Sequence, residues 1–252
     1  MNDLYSNADI YDLQYETYRS DVPYYLRLAA DEGGEVLELG SGTGRLTGAL
    51  AAAGSRVTGV ERSADMLARA QERLADQSGV RLLEGDIRKL AELPLEPASF
   101  GLCIAPFNVL MHLYSLADQD DCLSGVFRLL APGGLLALDL YLPRLGQSDV
   151  LRVVPEWSHV AGEGGQVLLL QEHDPLKQVV LSNYQIDSVG SDGLVRRRLV
   201  SLRQRYFQPF ELERALSCAG FRQIRFFGGF DRSRLSAEST EMVVTCRRPA
   251  HD

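Results

Sequence analysis

The sequence predicts an α/β fold: a largely parallel β-sheet with helices on both faces, and an antiparallel β-meander inserted late in the chain. Three observations predict it. Between Gly34 and about Pro143, short apolar runs alternate with amphipathic segments, the rhythm of βαβ units. Several of these runs are continuously apolar, around Leu102 and Ile104 and again at Leu135, Leu136 and Leu138, as suits strands buried on both faces. From about Leu145 the helical pattern stops, and strand-like stretches follow one another with only turn residues between them.

Taken in order, residues 1–32 read as a helical lead-in, with Tyr11, Tyr15 and Tyr18 at helical spacing and Pro23 interrupting the pattern. Strands are expected at Glu35–Leu39, Arg56–Val60, Val80–Glu84, Phe100–Ala105 and Leu135–Tyr141. Helices are expected at Arg45–Ala53, Ser63–Gln77 and Leu116–Leu130. Across 146–207 the expected strands are Val153–Val160, Gln166–His173, Gln178–Val189 and Leu194–Phe207. The glycines 162, 164 and 165, Asp174-Pro175 and Ser191-Asp192-Gly193 supply the turns. Pro209 opens a helix that Gly220 ends, because proline suits a first helical turn and glycine a left-handed stop. Strands Gln223–Phe227 and Glu241–Arg247 finish the sheet.

Composition excludes several classes. With 45% hydrophobic and 24% charged residues the chain reads as an ordinary globular protein. No apolar stretch approaches the roughly 18 residues of a membrane span, and Met1–Ser20 has neither the basic start nor the apolar centre of a signal peptide. Cys103, Cys122, Cys218 and Cys246 are scattered, which argues against a disulfide framework or a zinc site and suits the cytoplasm; no metal site is expected. A net charge of −8 argues against a nucleic-acid partner.

The strongest motif is Glu38-Leu39-Gly40-Ser41-Gly42-Thr43-Gly44, at the end of the first core strand and the start of a helix. Glycines there permit a tight turn and let a ligand approach the backbone. The spacing is G-x-G-x-G, unlike the G-x-G-x-x-G of dinucleotide enzymes. Glu61 ends the second core strand, where a carboxylate can grip two ribose hydroxyls. Asp86 follows the third, placed to take an adenine amine, with Ile87 against the ring.

These features, with Arg205–Leu212 and Ala219-Gly220-Phe221, resemble the class I S-adenosylmethionine-dependent methyltransferases over nearly the whole chain. The subgroup they are most similar to carries a β-meander insert and includes sugar N,N-dimethyltransferases and related small-molecule N-methyltransferases. The resemblance implies a Rossmann-like seven-stranded sheet, S-adenosyl-L-methionine as cofactor and a small-molecule acceptor methylated at nitrogen. It implies cofactor contacts from Tyr11, Glu38, Gly40, Ser41, Gly42, Thr43, Gly44, Glu61, Arg62, Met66, Asp86, Ile87, Phe107 and Asn108. His112 and Tyr15 are the candidate catalytic residues. The expected organisation is a helical lid over 1–33, a cofactor core over 34–145, a substrate-side β insert over 146–207 and a closing helix and strands over 208–252. A monomer or homodimer is expected, the insert being a candidate dimer surface.

Other readings of these residues stay open. Tyr11, Tyr15 and Tyr18 also make a plain packing stripe, and His112 also suits a helix terminus. Arg196, Arg197, Arg198, Arg203 and Arg205 either hold an anionic substrate or form a solvated face paired with Glu172, Asp174 and Asp187, and the second is preferred. Trp157 suits the insert core or a substrate platform equally. The alternatives for the whole chain are a non-catalytic cofactor-binding regulator, a nicotinamide-dependent oxidoreductase, which the glycine spacing disfavours, and an RNA or protein methyltransferase.

Overall fold

The structure, a computed structural model, describes residues 2–3, 8–15, 18–143 and 151–250. Its strands are β1 (Asn2–Asp3), β2 (Glu35–Leu39), β3 (Arg56–Glu61), β4 (Val80–Glu84), β5 (Phe100–Ala105), β6 (Leu130–Tyr141), β7 (Arg152–Val153), β8 (Gln166–Asp174), β9 (Val179–Val189), β10 (Val195–Arg205), β11 (Arg222–Phe227) and β12 (Glu241–Arg247). Its helices are α1 (Ala8–Tyr15), α2 (Val22–Glu32), α3 (Arg45–Ala52), α4 (Ala64–Arg73), α5 (Leu116–Leu129), α6 (Ser158–Ala161) and α7 (Pro209–Cys218). The chain divides into two compact units, one of 19–142 with 207–252, the other of 1–18 with 143–206.

The larger unit is built on a seven-stranded sheet in the order β4-β3-β2-β5-β6-β12-β11. The first five strands of that order run parallel, and β12 is antiparallel to both neighbours. On one face α2 and α3 bury Tyr24, Tyr25, Leu28, Leu46 and Leu50 against Val36, Leu102, Ile104 and Ala137 of the central strands. The chain leaves β2 toward β3 on one side and returns as β5 on the other. That reversal opens a crevice outside the carboxyl ends of the two strands, the usual ligand position in such sheets.

The smaller unit is a sheet in the order β1-β10-β9-β8-β7. Its β8, β9 and β10 form the expected antiparallel meander. Alternation along these strands gives one apolar face, where Val167, Leu169, Tyr184, Ile186, Val200 and Leu202 cluster with Ile10 of α1 and Val160 and Ala161 of α6. The other face is polar. There Arg197 forks onto Asp187 at 2.7 and 2.8 Å, and Asn183 donates to Glu172 at 2.9 Å. Arg196 pairs with Asp192, so these two arginines are engaged by acids within the sheet and its turn.

Several expectations need correcting. Val153–Val160 is not one strand. Pro155 has no N–H for a ladder and suits a first helical turn, so β7 stops at Val153 and Pro155–Trp157 and α6 are helical. Pro23 does not interrupt a helix; it sits in the first turn of α2, where its missing N–H is tolerated. Residues 1–33 are not one lead-in, because α1 joins the smaller unit and α2 the larger. β1, pairing in parallel with β10 at Asn2↔Val200, had no sequence signal. The expected joint at 145/146 lies outside the described residues. No helix among the described residues is long and apolar enough to cross a membrane.

Candidate active site

The loop after β2 turns on three glycines, Gly40, Gly42 and Gly44, with φ of 64°, 55° and 80°. Side chains disfavour that region. Gly40 and Ser41 each donate a backbone N–H to the Val60 carbonyl, at 2.8 and 3.1 Å, which ties the loop to the end of β3. The glycines differ in what surrounds them. A Cβ at Gly40 would lie 2.6 Å from Val109 Cγ2, and one at Gly44 would lie 2.7 Å from Leu74 Cδ1. At Gly42 a Cβ would meet nothing within 4 Å, so this glycine borders open space. The Ser41 side chain packs over Gly59, its buried Oγ without a hydrogen-bond partner. Thr43 is buried, and its carbonyl and Oγ1 each accept from Arg73 at 3.1 Å.

Glu61 closes this cradle. One oxygen accepts the Gly42 N–H at 2.9 Å and the other the Ser63 N–H at 2.7 Å. A carboxylate offers about four acceptor sites, so roughly two remain for a ligand. Arg62 is exposed beside it. Ser63 caps α4 by accepting from the N–H of Met66, which is buried. One strand further, Asp86 caps the 3-10 turn Ile87–Glu92 and takes a forked bond from Arg88, its closest contact 2.5 Å. Hydrogen bonds from Arg88 hold the Asp86 carboxyl below its usual range, so it stays an acceptor at neutral pH. Ile87 is half-buried beside it.

Glu38 lies beneath the loop, 2% exposed, accepting from Thr47 Oγ1 at 2.6 Å. Burial pushes its carboxyl up to about 8, against the Thr47 hydrogen bond and the Arg45 charge, which pull it down. It is mostly neutral at pH 7.

The turn after β5 faces the same crevice. Phe107 and Asn108 hold φ of 57° and 67°, rare for residues with side chains. Asn108 caps the 3-10 turn Val109–His112, which ends in half-buried His112. Val109 abuts Gly40, and the Arg45 guanidinium lies 5.8 Å from the Phe107 ring centroid. Glu38, the glycine loop, Glu61, Phe107 and Asn108 therefore converge at the carboxyl ends of β2, β3 and β5, with Asp86 at the end of β4. Tyr11 and Tyr15 belong to the smaller unit. Their rings are 4.9 Å apart, Tyr15 meets Trp157 edge-on at 5.9 Å, and Trp157 lies 4.8 Å from Tyr184. Trp157 thus packs against the core of the insert.

Sequence reasoning missed three residues. Asp139 of β6 is buried and accepts from the Phe107 N–H with both oxygens, at 3.0 and 2.9 Å, and from the Tyr25 hydroxyl at 2.5 Å. Asp21, fully buried before α2, binds Arg45 with both oxygens at 2.8 and 2.5 Å. An aspartate inside the apolar run Leu135–Tyr141 was the available signal for Asp139; Tyr25 and Asp21 carried none. Among the described residues no group of His, Cys, Asp and Glu is disposed to hold a metal ion.

Residues 36–134 match the family described as a methyltransferase domain. Over 98% of this chain and 99% of its own, the structure of the CcbJ methyltransferase from Streptomyces caelestis superposes with a TM-score of 0.83 at 28% identity. The cypemycin N-terminal methyltransferase of a Streptomyces species is 26% identical, covering 86% of this chain and 84% of its own. The fold is also that of CalS10 from Micromonospora echinaspora, an amino pentose methyltransferase solved with S-adenosylmethionine bound (TM-score 0.73, 22% identity, 95% and 97% coverage).

Proposed function

We propose that this chain is a class I S-adenosylmethionine-dependent methyltransferase that transfers the sulfonium methyl of S-adenosylmethionine to a nitrogen of a small-molecule acceptor. The observation that carries the reading is the meeting of two loops. Gly42 borders open space beside the Glu61 carboxylate, while Val109 of the Phe107–His112 segment rests on Gly40.

The residues fit the cofactor. A cradle that a Cβ at Gly42 would begin to fill, spare acceptor capacity on Glu61 and an ionised Asp86 suit an adenosyl group. Glu61 would take the ribose hydroxyls, Asp86 the adenine amine, and Ile87 and Met66 the ring, while Gly40–Gly44 would admit the methionyl part. Arg62 flanks the ribose acceptor, and Glu38 supports the loop from below. When bound, the sulfonium supplies an activated methyl carbon. The protein's share is then to hold the nucleophile about 3–3.5 Å from that carbon, in line and away from water.

On the acceptor side Phe107 and Asn108 border the methyl position, and His112, one short turn on, takes or orients the acceptor's proton. An amine needs only this modest help, since its neutral form already carries the attacking lone pair. The relative named for an N-terminal substrate supports nitrogen over oxygen.

Calorimetry with S-adenosylhomocysteine, then turnover of S-adenosylmethionine against amines, amino sugars and their hydroxyl counterparts, tests the reading. Micromolar binding and N-methylated product are expected. Methylation of the hydroxyl series alone would overturn nitrogen, and no binding would overturn the cofactor site.

A further inference from the structure

We infer that Asp139 is a positioning residue: with Tyr25 it clamps the Phe107–Asn108 turn in the shape that borders the methyl site. The inference rests on the assignment of that turn under the proposed function.

The clamp is built from β6 and α2. Phe107 donates its N–H to both carboxylate oxygens of Asp139, and Asn108 donates its N–H to the Asp139 carbonyl at 3.2 Å. Two residues on, the Tyr141 N–H donates back to Asn108 Oδ1. One strand end therefore satisfies both backbone donors of the turn and the side-chain oxygen of Asn108. Both turn residues sit at positive φ, where a phenylalanine does not stay without outside support.

Tyr25 braces the carboxylate in turn. It is fully buried, and its hydroxyl donates to Asp139 Oδ1. Tyr25 lies one helical turn beyond Asp21, whose carboxylate forks onto Arg45, the residue that follows Gly44. Arg45 in turn lies over the Phe107 ring. α2 thus connects the cofactor loop, through Asp21, to the acceptor turn, through Tyr25. Strand packing alone does not ask for an acid here. Asp139 pairs with Val243, and its chain neighbours are Leu138 and Leu140. The charged or titratable groups facing it are Tyr24, Tyr25, Asp21 and Glu241.

The test uses the full chain as wild type, Asp139→Ala, Asp139→Asn and Tyr25→Phe, each with S-adenosylhomocysteine as the binding probe. An asparagine oxygen still accepts both hydrogen bonds, whereas alanine leaves a buried N–H orphaned. Asp139→Ala should exchange its Phe107 amide hydrogen at least tenfold faster than wild type, with Asp139→Asn within threefold and Tyr25→Phe between them. Affinity for S-adenosylhomocysteine should stay within about fivefold throughout. In the Phe107 amide NMR signal, a pH-dependent shift should appear in wild type and vanish in Asp139→Asn. Against the amine and amino sugar panel, Asp139→Ala should lose at least tenfold in kcat with KM for S-adenosylmethionine within threefold. Wild-type exchange in Asp139→Ala, failure of Asp139→Asn to restore protection, or unchanged kcat in an exchange-labile variant would each overturn the inference. Absence of probe binding in the wild type would instead sink the cofactor reading, and the exchange and NMR results would still decide the role of Asp139.

Discussion

Replacing Glu38 by glutamine should make the protein more stable, by an amount that grows with pH. Folding moves this carboxyl from its ordinary 4.5 to about 8, chiefly through burial. The folded chain therefore holds the proton more tightly than the unfolded chain, and stability falls as pH rises between those two values. The cost is absent below about pH 4.5, grows by about 1.4 kcal/mol per pH unit and levels off above pH 8 at about 5 kcal/mol. Glutamine cannot ionise, yet it keeps an oxygen for the Thr47 hydroxyl, so the variant escapes this cost and little else changes. The measurement is the melting temperature of both proteins, without cofactor, from pH 5 to 9. The advantage of Glu38→Gln should widen by roughly 3–5 °C per pH unit up to about pH 8 and then stay flat. Burial also pushes the Asp139 carboxyl up, to about 7, but that residue is present in both proteins and its contribution cancels in the difference. A difference that stayed constant, or widened toward acid, would refute the claim that Glu38 is neutral at pH 7.

Other outcomes follow from the same geometry. Glu61→Ala should weaken S-adenosylhomocysteine binding by more than about 100-fold in calorimetry, since hydrogen bonds to a charged acceptor contribute about 1.5–3 kcal/mol each. His112→Ala should leave that affinity within about threefold while slowing turnover at least tenfold; equal loss of both would make His112 a cofactor residue. Gly40→Ala should act mainly on stability, lowering the melting temperature, because its Cβ would overlap Val109 at a φ of 64°.

The sheet was legible because its strands are short apolar runs ended by glycine, proline or an acid. Glu35–Leu39, Val80–Glu84, Phe100–Ala105 and Glu241–Arg247 stand where alternation and turn residues put them. The glycine loop and Glu61 were legible because a ligand-binding turn needs particular residue types at fixed spacing. The rest was not, for a reason of distance. Asp139 draws its partners from 32 and 114 residues away, and Asp21 reaches across 24 residues to Arg45. No local pattern encodes such pairs, and an acid in an apolar strand announces only that some partner exists. Residues 155–161 failed differently. Scattered apolar residues there fitted strand and helix alike, and Pro155 settled the matter through its missing N–H.

The smaller unit draws on two stretches of chain, 1–18 and 143–206, separated by most of the larger one. As the ribosome releases the chain, Ile10 has no hydrophobic cluster to join until the strands carrying Tyr184, Val200 and Leu202 have been made. The larger unit waits too, since β12, which lies inside its sheet, follows every strand of the smaller unit in the chain. The smaller unit is complete once residue 206 has been made, so it is finished before the larger one although its own first strand must wait for its last. An expressed fragment ending before Glu241 would leave the edges of β6 and β11 bare, and such a fragment belongs among aggregation-prone species rather than stable subdomains.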